Sequence, residues 1–283
     1  MSKTVPSTTL NDGRTIPQLG FGVYQVEPEE TADVVSTAFR AGYRHIDTAE
    51  MYNNEAGVGE ALRTSGLDRA DVFLTSKLSN ADHRPDDARA AFEQTLQALG
   101  TDHVDLFLIH WPLPTRYDGD FVQTWKTLEE FRADGRARSI GVSNFQVGHL
   151  ERLAQECDVP PAVNQIEVHP YFRNEKVRAY GAQHGIATEA WSPIAQGAVL
   201  DDPTVTRIAT AVDREPAQVV LRWHVQHGNI VFPKSVTPAR IEQNAALFDF
   251  DLDSDAMTAL DGLDKGEDGR TGPHPDEFDF VPA

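Results

Sequence analysis

The chain is short of positive charge, of sulfur and of long apolar runs. Its 25 lysines and arginines face 44 aspartates and glutamates, a formal net charge of −19 over 283 residues, and only six of the bases are lysine. Such a surface repels phosphate, so neither nucleic acid nor anionic lipid is expected as a partner. Acidic faces with little lysine also suit concentrated salt, where counterions screen self-repulsion, and this raises a halophilic setting as an expectation. The single cysteine, Cys157, excludes an internal disulfide framework and agrees with a reducing compartment. No His or Asn constellation points to it, so it reads as a packing residue rather than a nucleophile. No apolar stretch is long enough to cross a bilayer, and Met1 to Pro6 lacks the apolar run of a secretory signal, so a cytoplasmic location is expected. Ten histidines are present, but His83, His103, His149, His184 and His274 are scattered. His224-x-x-His227 falls in a helical stretch, where a ligand pair would face away from any strand-end site, so no metal centre is expected.

What the chain does have is alternation. Thr8-Thr9-Leu10, Asn11-Asp12-Gly13 and Arg14-Thr15-Ile16-Pro17 read as a β-hairpin that caps one end of the main repeat. Short apolar runs near 19–23, 43–47, 72–77, 104–110, 138–142, 162–166, 186–191 and 229–233 read as strands. Helical periodicity lies between them near 30–41, 54–64, 86–98, 121–133, 147–156 and 174–184, then over 202–227 as two helices, and at 238–247 after the last strand. Eight strands, each followed by helix, predict an α/β fold: a closed (β/α)8 TIM barrel forming one domain over 1–283. The rival, an open doubly wound sheet, would want Gly-x-Gly-x-x-Gly after the first strand. Gly20-Phe21-Gly22 is too short for that and reads as close packing at a strand end. A further helix is expected at 253–261, and 262–283 reads as an ordered tail or lid over the mouth.

Chemistry gathers at the strand ends, where the loops of such a barrel meet. Asp47, Lys77 and His110 close the second, third and fourth strands, and Tyr52 comes in the loop after Asp47. Taken singly, Asp47 reads as a cap, Lys77 as a solvated strand end and His110 as a core histidine. Together they make a proton-transfer site. A phenol of pKa near ~10 becomes a usable acid if a lysine ammonium lowers that value, and Asp47 would hold Lys77 in place. Neutral His110 would donate to a carbonyl oxygen. A site that protonates a carbonyl oxygen needs a hydride that no side chain carries, so a reduced cofactor is implied. Ser143 and Asn144 after the fifth strand and Gln165 at the end of the sixth offer groups for a carboxamide, and Trp191 offers a stacking face. Pro233-Lys234-Ser235-Val236, with Arg240, Gln243 and Asn244 in the first turns of the next helix, suit a phosphate.

On these residues the chain resembles the aldo-keto reductase superfamily, and most of all the microbial branch of 2,5-diketo-D-gluconate and aldehyde reductases. The matches are Gly42-Tyr43-Arg44-His45-Ile46-Asp47-Thr48-Ala49 through Tyr52, Glu55, Gly59 and Leu62; Gly135, Arg138, Ile140 and Gly141-Val142-Ser143-Asn144-Phe145 through Leu150; Val163-Asn164-Gln165-Ile166-Glu167 with His169-Pro170; and Pro233-Lys234-Ser235. The resemblance implies a catalytic tetrad of Asp47, Tyr52, Lys77 and His110 with Tyr52 as proton donor. It implies nicotinamide contacts from Ser143, Asn144 and Gln165, stacking by Trp191 with Ser192 beside it, a 2′-phosphate site at Lys234, Ser235 and Arg240, and Gln243 and Asn244 near the adenine. NADPH is expected in preference to NADH, which stays possible. The expected partner is a small carbonyl substrate, walled by Tyr24, Trp111 and the tail aromatics Phe278 and Phe280. The loop from Trp111 to Phe121 is short and suggests an open pocket, and a monomer is expected. The alternative on the same fold is a cofactor-binding regulatory subunit with little turnover.

Overall fold

The computed structural model describes residues 5–282; Met1 to Thr4 and Ala283, at the ends of the expected domain, lie outside the described residues. A hairpin of β1 (Ser7–Thr9) and β2 (Thr15–Pro17) comes first, turned by Gly13 at φ 84°, a left-handed conformation that glycine adopts without strain. Eight parallel strands come next: β3 (Phe21–Gly22), β4 (His45–Asp47), β5 (Phe73–Leu78), β6 (Val104–Ile109), β7 (Ala137–Ser143), β8 (Val163–Glu167), β9 (Ala187–Trp191) and β10 (Ile230–Val231). Each pairs with the next in chain order. A parallel bridge between Leu19 and Val231 brings the two edges together, and the expected barrel is the fold observed.

The helices are α1 (Pro28–Arg40), α2 (Glu55–Thr64), α3 (Pro85–Leu99), α4 (Phe121–Ala133), α5 (Val147–Glu156), α6 (Glu175–Gln183), α7 (Pro203–Val212), α8 (Pro216–Gln226), α9 (Pro238–Ala245) and α10 (Ser254–Asp261). Five of them open on proline, whose fixed φ and missing N–H suit the first helical position, and this makes their starts legible. Side-chain carboxylates of Asp120, Asp202 and Asp253 accept backbone N–H groups in the first turns of α4, α7 and α10.

The two-residue period of a strand turns His45 and Asp47, Thr75 and Lys77, Leu106 and Leu108, and Gln165 and Glu189 to the barrel interior. That interior is crowded. A Cβ on Gly20 would lie 2.7 Å from the His45 ring, and one on Gly22 2.8 Å from the Phe232 carbonyl oxygen, which accounts for glycine at both places. At the N-terminal end Leu10 and Ile16 from the hairpin pack with Leu106, Leu108, Ala162, Val163 and Ile230 into an apolar plug. The larger core lies between strands and helices, where the rings of Phe92, Phe107 and Phe131 meet at 4.4 to 6.2 Å. The barrel is therefore apolar and shut below, polar and open above.

Ile16 is fully buried at the centre of the plug. Ile16→Ala should cost about 2–5 kcal/mol of unfolding free energy by leaving a cavity that the barrel cannot collapse into. Urea unfolding measures it; a loss under ~0.5 kcal/mol, the size of a surface change, would mean the hairpin is not part of the core.

Candidate active site

Asp47 ends β4, and Lys77 is the penultimate residue of the neighbouring β5, one strand period beyond Thr75, the register partner of Asp47, so both side chains enter the upper interior. Lys77 is fully buried, and its Nζ donates to Asp47 Oδ1 at 2.7 Å, to the Thr48 carbonyl at 2.8 Å and to the Tyr52 hydroxyl at 3.4 Å. Burial alone would discharge Lys77; attraction to Asp47 and then to Tyr52 outweighs it, and the net shift of its pKa is upward.

Tyr52 is delivered by one tight turn, Glu50–Tyr52, closed by Asn53 in the left-handed region at φ 56°. Burial is the largest influence on its phenol, whose pKa is pushed up to about 12, with Lys77 pulling down and Asp47 pushing up. This corrects the expectation that Lys77 brings the phenol below its ordinary value: the ammonium acts in that direction, but loss of water outweighs it. His110 comes directly after β6 with its ring edge-on to Tyr52, centroids 5.6 Å apart. Burial, then the Lys77 charge, holds its pKa well below the ordinary histidine value, so the ring is neutral. Its Nδ1 is buried without a partner among the described residues, and a proton there would be an unpaired buried N–H, so the proton belongs on Nε2.

The amide residues interlock with this group. Ser143 Oγ donates to the Gln165 backbone carbonyl at 2.9 Å. Asn144, at φ 66°, donates through Nδ2 to the His110 carbonyl at 3.0 Å and to Ser143 Oγ at 3.1 Å, while its Oδ1 accepts from Trp191 Nε1 at 2.8 Å. Gln165 Nε2 donates to Asp47 Oδ2 and to Glu189 Oε2, both at 2.8 Å. Ser192 turns the chain after β9 at φ 47°. The mouth thus holds Asp47, Tyr52, Lys77, His110, Ser143, Asn144, Gln165 and Trp191 as one connected set.

The residues after β10 form a second group on the rim. Lys234 and Arg240 are exposed, Ser235 Oγ accepts from the Thr237 N–H at 3.1 Å, and α9 begins at Pro238. The Gln243 carbonyl accepts from Gln218 Nε2 at 3.1 Å, and Asn244 lies beside it on α9. Around the mouth, the Tyr24 ring is exposed and lies 5.0 Å from that of Tyr52, while Trp111 packs on Phe278 of the tail at 4.2 Å. The tail is tied down further: Glu167 accepts from Thr271 N, Thr271 Oγ1 and Gly272 N at 2.7, 2.5 and 3.0 Å, Asn80 Nδ2 donates to the Phe280 carbonyl at 2.9 Å, and Arg116 Nε donates to the Asp279 carbonyl at 3.1 Å. Gly272 lies so close to Trp191 that a Cβ there would fall 2.4 Å from the indole. Burial, then Glu129, pushes the Cys157 thiol up to about 11, away from reactivity. Among the described residues no group of three or more His, Cys, Asp or Glu is placed to hold a metal ion, and no helix is long and apolar enough to cross a membrane.

The sequence profile of the Aldo/keto reductase family matches residues 18–265. The chain belongs to that family. An aldo-keto reductase of Mycolicibacterium smegmatis is 50% identical over 276 residues, 98% of this chain and 99% of the relative. The methylglyoxal reductase DkgA of Yersinia pestis is 47% identical over 276 residues, 96% of this chain and 97% of its own. Among solved structures, a mutant of Gox0644 in complex with NADPH is 44% identical with a TM-score of 0.94, covering 98% of this chain and 100% of the other.

Two side chains of this aldo-keto reductase that sequence reasoning passed over help to build the site. Asn54, buried, accepts from Thr48 Oγ1 at 2.9 Å and donates to the carbonyls of Val23 and Val26 at 2.9 and 3.2 Å, tying the Tyr24 loop to the Tyr52 turn. Its signal was its place between Tyr52 and Glu55. Glu189, fully buried inside the barrel, accepts from Gln165; its signal was strand parity with Trp191. Burial, then repulsion from Asp47, pushes the pKa of Glu189 from the ordinary 4.5 up to about 8, with Gln165 and Lys77 opposing.

That shift has a definite sign. The folded value lies above the unfolded one, so the stability held in the Glu189 proton is complete below about pH 4.5 and drains as pH rises through about 8. Glu189→Gln has no proton to lose. Its stability relative to the unmodified protein should therefore rise from pH 5 to 8, by up to ~1.4 kcal/mol per pH unit, and level off above about 9. Thermal or denaturant unfolding across this range checks it, and a gap independent of pH would rule it out.

Proposed function

We propose that the chain is an NADPH-dependent reductase of small aldehydes, dicarbonyls and keto sugars, with Tyr52 as the proton donor. The observation that carries the reading is the buried ammonium of Lys77, held between Asp47 and the Tyr52 hydroxyl and facing a neutral His110. The residues present fit the cofactor: amide and hydroxyl groups beside Tyr52 for a carboxamide, the Trp191 indole for a ring, and exposed Lys234 and Arg240 for a phosphate. When bound, the reduced nicotinamide supplies the hydride.

The side chains do the rest. His110 Nε2–H orients the substrate carbonyl by hydrogen bonding to its oxygen, and strengthens that bond as negative charge develops there. Tyr52 transfers its proton to the same oxygen. The raised phenol is no obstacle, because a developing alkoxide is a stronger base than a phenolate and the transfer runs downhill. Lys77 compensates the charge left on Tyr52, and Asp47 keeps Lys77 charged and in place. Lys234, Ser235 and Arg240 favour NADPH over NADH because its additional 2′-phosphate gains charge-assisted hydrogen bonds there. The short loop after His110 and the aromatic walls of Tyr24, Trp111 and Phe278 suit compact carbonyl substrates, and the likeness to a methylglyoxal reductase supports dicarbonyls among them.

Loss of NADPH absorbance with a carbonyl panel tests the reading. Tyr52→Phe should lower kcat by about 10²–10⁴-fold, the span of general acid catalysis, while leaving the NADPH dissociation constant within about twofold. A variant retaining most of its turnover would remove Tyr52 as the acid. Arg240→Ala should weaken NADPH about tenfold or more, the worth of one charged hydrogen bond, with little change for NADH. Equal losses for both would place the 2′-phosphate elsewhere.

A further inference from the structure

Glu189 is a buried acid that the proposed proton transfer does not use. It sits in register with Gln165 on one side and Ile230 on the other, and the titratable groups that face it are His45 and Asp47 from β4 and Lys77 from β5. Its Oε2 takes one hydrogen of the Gln165 amide; its Oε1 has no hydrogen-bond partner among the described residues and lies 3.9 Å from His45 Nε2, which is itself engaged with Thr75 Oγ1 at 3.1 Å. A leucine would fill this space without burying an unpaired oxygen, so packing alone does not account for a carboxyl here.

The geometry of Gln165 does account for it. A side-chain amide can present either end to a partner, and the two orientations fill nearly the same space. Asp47 Oδ2 engages one hydrogen of Nε2, and Glu189 Oε2 engages the other. With both hydrogens directed at carboxyl oxygens inside the barrel, the reverse orientation would set the amide oxygen against the Asp47 carboxylate, which is paired with Lys77 and can only accept. The hydrogen bonds of the Gln165 side chain among the described residues run through Nε2, which leaves Oε1 without a donor there, on a residue that keeps 2% exposure. The neighbouring amide, Asn144, is already occupied at both ends by His110, Ser143 and Trp191. Gln165 is therefore the amide that brings an open acceptor to the mouth.

We propose that Glu189 is a positioning residue for the nicotinamide: it locks the Gln165 amide with its N–H2 group inward, so that Oε1 receives the N–H2 of the cofactor's carboxamide. The inference rests on the reading that Gln165 meets the nicotinamide. A carboxamide held by its amino group is fixed in rotation, which sets the plane of the ring against Trp191. Neutral Glu189 keeps Oε2 as an acceptor when its proton sits on Oε1, and Asp47, paired with the Lys77 ammonium, sets the direction of the amide in either state.

NADPH binding, followed by cofactor fluorescence in the absence of substrate, tests it with Gln165→Met, Glu189→Met and the double variant. Gln165→Met should weaken NADPH about tenfold, the worth of one good hydrogen bond to a ligand. Glu189→Met should weaken it by most of that factor, and the double variant should be no weaker than Gln165→Met alone. Glu189→Gln, which keeps an acceptor oxygen, should restore affinity to within about twofold of the unmodified protein, since the acceptor and not the charge is what matters. Additive losses in the double variant, or unchanged affinity in Glu189→Met, would overturn the role of Glu189 while leaving Gln165 in place. Unchanged affinity in Gln165→Met would overturn the nicotinamide reading, and the Glu189 inference with it. Should Glu189→Met not fold, nitrogen-15 NMR of the unmodified protein decides: both Gln165 side-chain amide protons must exchange slowly with and without NADPH, and fast exchange of either overturns the lock.

Discussion

One buried ion pair sets the terms for everything around it. Lys77 and Asp47 meet at 2.7 Å with almost no exposure, and each would cost several kcal/mol to bury alone. Their attraction offsets that cost only while every remaining lone pair and proton finds a partner, which explains the company they keep. Thr48 takes a second hydrogen of Lys77, Gln165 satisfies the other oxygen of Asp47, and Tyr52 sits where the remaining field of the ammonium is directed. Low dielectric then works in two directions: it strengthens the pull of Lys77 on a developing phenolate, and it raises the cost of forming one.

The barrel makes this arrangement possible by dividing its interior into two zones. Below, the hairpin residues Leu10 and Ile16 complete an apolar plug. Above, short loops hold the polar groups with ties that reach across the chain. Asn54 joins two loops, and Glu167 gathers the tail against Trp191. The strands fix where each side chain emerges; the ties fix how far each loop can move away.

Much of this is legible in the sequence because it is written in local signals. Proline at the first turn of α1, α3, α7, α8 and α9, and alternation of strand with helix, mark the elements to within a few residues. Asp47, Lys77 and His110 stand out because each ends an apolar run. What stays hidden depends on distance in the chain or on the medium. The contact of Gln165 with Asp47 spans 118 positions, and nothing near either residue announces it. Glu189 shares strand parity with Trp191, but its burial comes from the closure of the barrel around it. The phenol of Tyr52 shifts opposite to expectation because sequence names a neighbouring cation but not the water removed from around it.

The apolar plug has a consequence for proton exchange. A barrel stoppered below and open above exchanges protons with bulk water from one side only. In the proposed reaction the phenolate left on Tyr52 looks out through the same opening that substrate and cofactor occupy, with the tail laid across its edge. On the proposed reading, the acid is recharged through the same opening that admits the substrate.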